Sequence, residues 1–464
     1  MYAAAKKKNT INMTEGPLFG KILIFSLPLM ASSILQLIYN AADVIVVGRF
    51  AGENALAAVG STGALINLIL NLFIGLSTGA SVCASNAIGA KDDDRVKRCV
   101  HTSMALAIIG GIAAMFMGLF LARPMLSLMK TPDSVLGDAT LYMQIYFLGV
   151  PASLVFNFAA GLLRASGDTK RPLYILSISG IVNVALNLFL VIVCHLGVAG
   201  VAIATSVSQY MATLLIVIHM MKLDSSLKYV IKKTKIHKKE LVDVIKIGIP
   251  SGMSGVMFNI SNMIIQSSVN LFGEIVIAGN TAASNIEGFI YTAMNTIYQA
   301  SQTFTSQNLG AGKIKRINRV HISSLVIVIS IGVIMCAAGL IFSRPLLSLY
   351  VTGENVDAVI NAGVNRMTVI CSTYYLCGMM DVTCGCLRGM KYSFSTMIIS
   401  MIGACAFRII WLATVFKAEQ TVFNIYISYP ISWIITWGAF MVCYVYAIKK
   451  TKKRYYKVYE SENV

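Results

Sequence analysis

The sequence predicts an all-α integral membrane protein, with twelve transmembrane helices in two pseudo-symmetric six-helix bundles that form a parallel repeat around a central cavity. Three observations predict it. Of the 464 residues, 56% are hydrophobic and only 12% charged, about half the charge of an average soluble domain. Apolar runs of eighteen or more residues recur along the whole length, and each can cross a hydrocarbon core about 30 Å thick at about 1.5 Å per residue. The second half of the chain repeats motifs of the first.

Apolar runs between polar breaks place helices at 18–47, 55–80, 98–122, 138–161, 172–194 and 198–221. The second half gives 241–271, 276–301, 319–342, 358–383, 393–415 and 423–447. Threaded with the N-terminus inside, these spans put Lys and Arg on the cytoplasmic side, except Arg49, Arg123, Lys130, Arg344, Arg366, Arg408 and Lys417, which fall at or near the outer side. The positive-inside rule therefore predicts a multi-pass protein of the cytoplasmic (inner) membrane with both termini cytoplasmic. A missed helix would invert the pattern downstream, which independently supports twelve spans.

The expected domains are a cytoplasmic tail (1–17), an N-terminal bundle (18–222), a basic linker (223–240), a C-terminal bundle (241–448) and a basic tail (449–464). No short apolar run with a small-residue cleavage site follows the first residues, so the first helix is expected to be retained. The linker lysines would be drawn to anionic lipid headgroups, or serve only as a solvated loop that sets topology.

Arg123-Pro124-Met125-Leu126-Ser127-Leu128 returns as Arg344-Pro345-Leu346-Leu347-Ser348-Leu349, and Gly89-Ala90 returns as Gly310-Ala311, both at an offset of 221. Pro28 and Asn40 match Pro250 and Asn262 at 222, and Gly161-Leu162-Leu163-Arg164 matches Gly385-Cys386-Leu387-Arg388 at 224. Six helices per copy is even, so both copies enter the membrane with the same orientation. Such a repeat predicts a carrier with alternating access between the halves.

The net charge of +18 is explained by the inner-side residues, and no stretch has the signals of a nucleic-acid module. The ten cysteines read as small apolar packers rather than disulfides. Neither a phosphate-binding loop nor a metal-ligand spacing among the five histidines is present, so an enzyme is not expected and no cofactor is implied.

The order and spacing of several motifs resemble the multidrug and toxic compound extrusion (MATE) family, bacterial branch, over almost the entire chain. These are Leu27-Pro28-Leu29 with Leu35-Gln36-Leu37-Ile38-Tyr39-Asn40-Ala41-Ala42-Asp43 and Val47-Gly48-Arg49, then Gly197-Val198-Ala199-Gly200, Ser306-Gln307-Asn308-Leu309-Gly310 and Leu387-Arg388-Gly389. The resemblance implies a monomeric secondary antiporter that exports small cationic amphipathic compounds in exchange for H+ or Na+. The alternative is a flippase for a lipid-linked precursor of the same superfamily. Asp43 matches the family's first-helix acid, Asn183 and Thr205 its polar partners, and Asp381 a tenth-helix acid. Asn187 stands where many members carry a second aspartate. The seventh helix lacks the acid of one branch, so the chain is more similar to the branch with Gln266 and an eighth-helix acid, here Glu287.

Depth alone singles out Asp43, Glu287 and Asp381, because all other acids fall in tails, loops or helix ends. An ionised carboxylate inside a bilayer costs about 2.5–3.5 kcal/mol on the insertion scale. Each therefore needs a cavity, a partner or a proton. A group that takes either a proton or an organic cation, but not both, is the minimum requirement of an antiporter. The plainer readings are an interfacial acid near Arg49, a structural hydrogen bond and a helix-end pair with Arg388, respectively.

Asn183 and Asn187 lie four apart on one helical face and, with Asp43 and Thr205, form a possible sodium site of oxygen donors. Gln36, Tyr39, Asn40, Gln266, Tyr291 and Gln299 are the candidate substrate contacts, with tyrosine rings suited to an organic cation. Interhelical hydrogen bonding and interfacial belts are their plainer alternatives.

Overall fold

The computed structural model describes residues 10–129, 131–351 and 355–462, without the side chains of Glu53 and of residues 454–462. The first nine residues of the expected tail, Lys130 and the last two residues lie outside that description.

The chain is helical almost throughout. The first half runs α1 (Leu18–Phe50), α2 (Glu53–Gly89), α3 (Asp93–Leu128), α4 (Asp133–Ala165), α5 (Lys170–Val193) and α6 (Gly197–Met221). The second runs α7 (Lys238–Val269), α8 (Glu274–Gly310), α9 (Ile314–Ile341), α10a (Val356–Cys371), α10b (Tyr374–Gly389), α11 (Ser393–Phe416) and α12 (Val422–Lys453). Ten of these helices are long and apolar enough to cross a membrane. The other two passages differ for physical reasons. α8 carries Asn280, Asn285, Glu287, Asn295 and Gln299 along its length, and the tenth span is interrupted at Ser372 and Thr373 between α10a and α10b. Side chains such as Phe120, Ile334 and Val442 are 67–73% exposed, as a surface facing acyl chains requires.

Local geometry reproduces the repeat. α2 and α8 each span 37 residues, and each starts after a glycine with positive φ, Gly52 at 91° and Gly273 at 84°. That region is open to Gly at little steric cost. The Arg-Pro motifs diverge: Arg123-Pro124 lies inside α3, whereas Arg344-Pro345 lies in a separate short helix, Ser343–Ser348.

Two compact units result, but they do not divide at the linker. Unit one takes Pro28–Gly252 with residues 10–11, and unit two takes Asn12–Leu27 with the described residues from Met253 on. The boundaries thus fall inside α1 at Pro28 and inside α7 just after Pro250.

In unit one, α2 and α7 meet backbone to backbone. A Cβ on Gly75 would lie 2.2 Å from the Gly252 nitrogen, and one on Gly79 would lie 2.3 Å from the Val244 carbonyl oxygen. Gly75-x-x-x-Gly79 therefore faces Gly248-x-x-x-Gly252, the small-residue spacing by which helices approach closely in lipid. The Arg95–Asp243 pair at 3.0 Å and the Arg98–Glu240 pair at 2.8 Å join α3 to the start of α7. Hydroxyls of Ser206, Tyr210 and Thr213 on α6 donate to the carbonyls of Ile145, Leu148 and Ala152, fixing α6 to α4 around Pro151.

In unit two, residues 12–16 are not a loose tail. The Asn308 amide donates to the Met13 carbonyl at 3.2 Å, and Arg316 donates to the carbonyls of Glu15 and Gly16. All ten cysteines are free and most are buried.

Candidate functional site

The unit-one site begins with helical spacing. Gln36, Tyr39, Asn40 and Asp43 recur at three and four residues on α1, so they share one face. Ser179, Asn183 and Asn187 do the same on α5, and Thr205, Ser208 and Gln209 on α6. These faces, with Tyr146 and Asn157 of α4, line a cavity of about 290 Å³, near the lower end of ligand pockets. Asn187 lies beside its lining, fully buried. One widened π-helical turn, Phe189–Val193, follows the asparagines of α5. Such turns are frequent at functional sites.

Asp43 is half-buried and held from two helices. The Asn187 amide donates to Oδ1, and the Thr205 hydroxyl donates to Oδ2 at 3.3 Å. Asn183 in turn donates to Thr205 at 3.5 Å. The amide oxygens Oδ1 of both Asn183 and Asn187 are buried without a hydrogen-bond partner. An unpaired buried acceptor costs about 1–3 kcal/mol.

Tyr39 donates to the Ser177 carbonyl at 3.3 Å, and its ring rests on Gly180, where a Cβ would come within 1.8 Å of the ring. Glycine at 180 is what lets the tyrosine lie flat against α5.

The unit-two candidates divide into two groups. Glu287 is 4% exposed and held by Arg366, Nε on Oε1 at 3.0 Å and Nη2 on Oε2 at 2.7 Å. Arg366 also donates to Asn280 at 2.7 Å, and Asn280 donates to Gln266 at 2.9 Å. Its guanidinium lies over the rings of Tyr426 and Tyr429. Separately, Gln299, Asn295 and Tyr291 form an i, i+4 ladder along α8, with Tyr291 beside Asp381. Oδ2 of Asp381 is buried without a hydrogen-bond partner.

Two of the arginines expected at or near the outer side are buried within the protein. Arg366 is 7% exposed and Arg408 only 2%. Arg408 donates to Ser432 at 2.9 Å and stacks on Tyr429 at 4.4 Å, and no carboxylate pairs with it among the described residues. It lies between two π-helical turns of α11, Met401–Ala406 and Leu412–Phe416. Arg388, 9% exposed, donates to the Tyr298 hydroxyl at 2.8 Å. Aromatic faces solvate a guanidinium that the linear sequence shows as unpaired.

The sequence pattern of the MatE family matches residues 28–189 and 250–414. The chain belongs to the MatE family. The two matched stretches correspond to the two repeats. A probable multidrug resistance protein of Bacillus subtilis, YoeA, is 27% identical over 71% of this chain and 73% of that protein. An FAD transporter of Shewanella oneidensis is 24% identical over 75% of this chain and 78% of its own length. Among solved structures, the outward-facing conformation of a multidrug resistance MATE family transporter of the MOP superfamily superposes with a TM-score of 0.88 at 21% identity, covering 95% of this chain and 98% of that one. This MatE protein is therefore a multi-pass integral membrane transporter with the twelve-helix fold of that family, and not an enzyme.

Proposed function

We propose that this MatE protein is a secondary antiporter of the cytoplasmic membrane, with both termini cytoplasmic, that exports small cationic amphipathic compounds in exchange for H+ or Na+ by alternating access. The observation that carries the reading is Asp43: a carboxylate between Asn187 and Thr205, on a cavity that also presents Gln36, Tyr39 and Asn40. A proton or sodium ion on Asp43 removes the negative charge that an organic cation needs, so the two compete. Asp381, next to Tyr291, is the corresponding acid of unit two. Glu287 has a smaller part in coupling, because Arg366 occupies both of its oxygens. One charge crossing 100 mV supplies about 2.3 kcal/mol, which sustains roughly a fifty-fold concentration ratio at about 1.4 kcal/mol per decade. A single coupled ion suffices.

A second reading is supported by one observation: unit two buries Arg388 and Arg408, neither in a salt bridge among the described residues. That charge favours an anionic or phosphate-bearing cargo, such as a lipid-linked precursor. Export from proteoliposomes under an imposed pH or sodium gradient separates the two. The antiporter reading expects gradient-driven movement of ethidium, and movement of a flavin phosphate without ethidium would replace it with the second.

A further inference from the structure

The connection between α6 and α7 is a built strap. Leu227 and Tyr229 are buried in the unit-one core, 5% and 4% exposed. The Tyr229 hydroxyl shares a hydrogen bond of 2.8 Å with Thr234, its ring lies 5.7 Å from that of His101, and the His237 backbone N–H donates to the Thr102 hydroxyl at 3.0 Å. Between these anchors, a short 3-10 turn, Ile231–Lys233, carries the lysines across the first turns of α3.

Strap and helix border an open groove of about 570 Å³, separate from the cavity that holds Asp43. Its lining is strongly basic. Asp94, the acid in it, is bonded to Lys97 at 3.0 Å, and Arg98 is bonded to Glu240 at 2.8 Å. That leaves Lys232, Lys233 and Lys235 without a carboxylate partner among the described residues. His101 lines the same groove, is 8% exposed, and has a buried Nδ1 with no hydrogen-bond partner. Three ammonium groups on a pinned backbone, with the His101 ring lining the same groove, form a receptor for a compact anion with several acceptor oxygens.

We propose that this groove binds a phosphate group, carried by an anionic lipid headgroup or by a soluble phosphate compound. A carboxylate has two acceptor oxygens, whereas a phosphate can accept from all three lysines and His101 together. Near an anionic membrane surface each such lysine adds to the attraction. The strap is ordered before any ligand arrives, so binding carries little ordering cost.

The test uses the purified full-length protein in a neutral detergent, titrated with inorganic phosphate, with phosphatidylglycerol and with phosphatidylcholine, and read as the shift in Tm. The variants are Lys232→Gln/Lys233→Gln/Lys235→Gln, His101→Phe, and a control of equal charge loss, Lys449→Gln/Lys450→Gln/Lys452→Gln. The lysines are exposed, so their loss leaves the fold intact, and His101→Phe keeps the ring contact with Tyr229 without changing the lysine charge. The strap variant should raise the half-saturating concentration about tenfold and His101→Phe about threefold, while the control stays within about twofold. A response to both phosphate and phosphatidylglycerol identifies the phosphate group itself as the ligand. A response to phosphatidylglycerol alone assigns the site to a lipid headgroup. If neither raises Tm, or if the control weakens the response as much as the strap variant, the site does not exist.

Discussion

Arg366 grips both carboxylate oxygens of Glu287 while its remaining Nη1 holds Asn280. Breaking one side of a buried pair leaves an uncompensated charge and costs about 3–5 kcal/mol, whereas replacing both sides by apolar groups is often neutral. Glu287→Leu and Arg366→Met should therefore each lower stability by that amount. Glu287→Leu combined with Arg366→Met should regain most of it. Thermal unfolding of the four members of this cycle in detergent measures the coupling, and additive losses would show that the pair is not the organising contact.

Gly79 has no room for a methyl group, since a Cβ there meets the Val244 carbonyl, while Gly288 has nothing within 4 Å. Overpacking of this kind costs about 1–3 kcal/mol. Gly79→Ala should lower Tm and the yield of monodisperse protein, and Gly288→Ala should leave both unchanged or slightly improved through its better helix propensity. Equal effects at the two positions would contradict the close approach of α2 and α7.

The unpartnered oxygens of Asn183 and Asn187 make a sodium ion at Asp43 a specific expectation. Asn183→Ala and Thr205→Ala should each raise the half-saturating sodium concentration for transport about threefold to tenfold, with the maximal rate kept within about twofold. A fall in maximal rate with unchanged sodium dependence would point to a structural role for these side chains.

Gly180→Ala would push the Tyr39 ring out of its notch on α5. Weaker binding of an aromatic cation should follow, by about threefold to tenfold, with sodium or proton dependence retained. Tyr39→Phe, which loses only the hydrogen bond to the Ser177 carbonyl, should bind nearly as well as the native protein. Dye titration by fluorescence polarisation measures both.

Helical periodicity made most of this legible in the sequence. The polar stripe Gln36, Asn40 and Asp43, and the pair Asn183 and Asn187, pointed to one chamber because residues three and four apart share a face. The same logic applied to Thr205, Ser208 and Gln209 would have added the α6 wall. The offset of 221 likewise marked Gly89 and Gly310, which close α2 and α8. Arg366 was harder to place, since its partners Glu287 and Tyr429 are 79 and 63 positions away and only folding brings them together. Pro28 and Pro250 were visible as matched positions, yet nothing local shows that α1 and α7 each change unit there. Gly75-x-x-x-Gly79 and Gly248-x-x-x-Gly252 were readable as close-packing motifs, but their mutual contact depends on tertiary arrangement.

The account rests on one carboxylate that takes either a coupling ion or an organic cation. The direct measurement is equilibrium binding of rhodamine 6G to the purified protein, titrated against sodium and against pH, for the native chain and for Asp43→Asn. The account predicts that the apparent Kd of the native protein rises in proportion to sodium or proton concentration, and that Asp43→Asn abolishes this dependence and weakens dye binding at least about tenfold. A native Kd indifferent to both ions, or an Asp43→Asn variant that binds dye with undiminished ion competition, would contradict it.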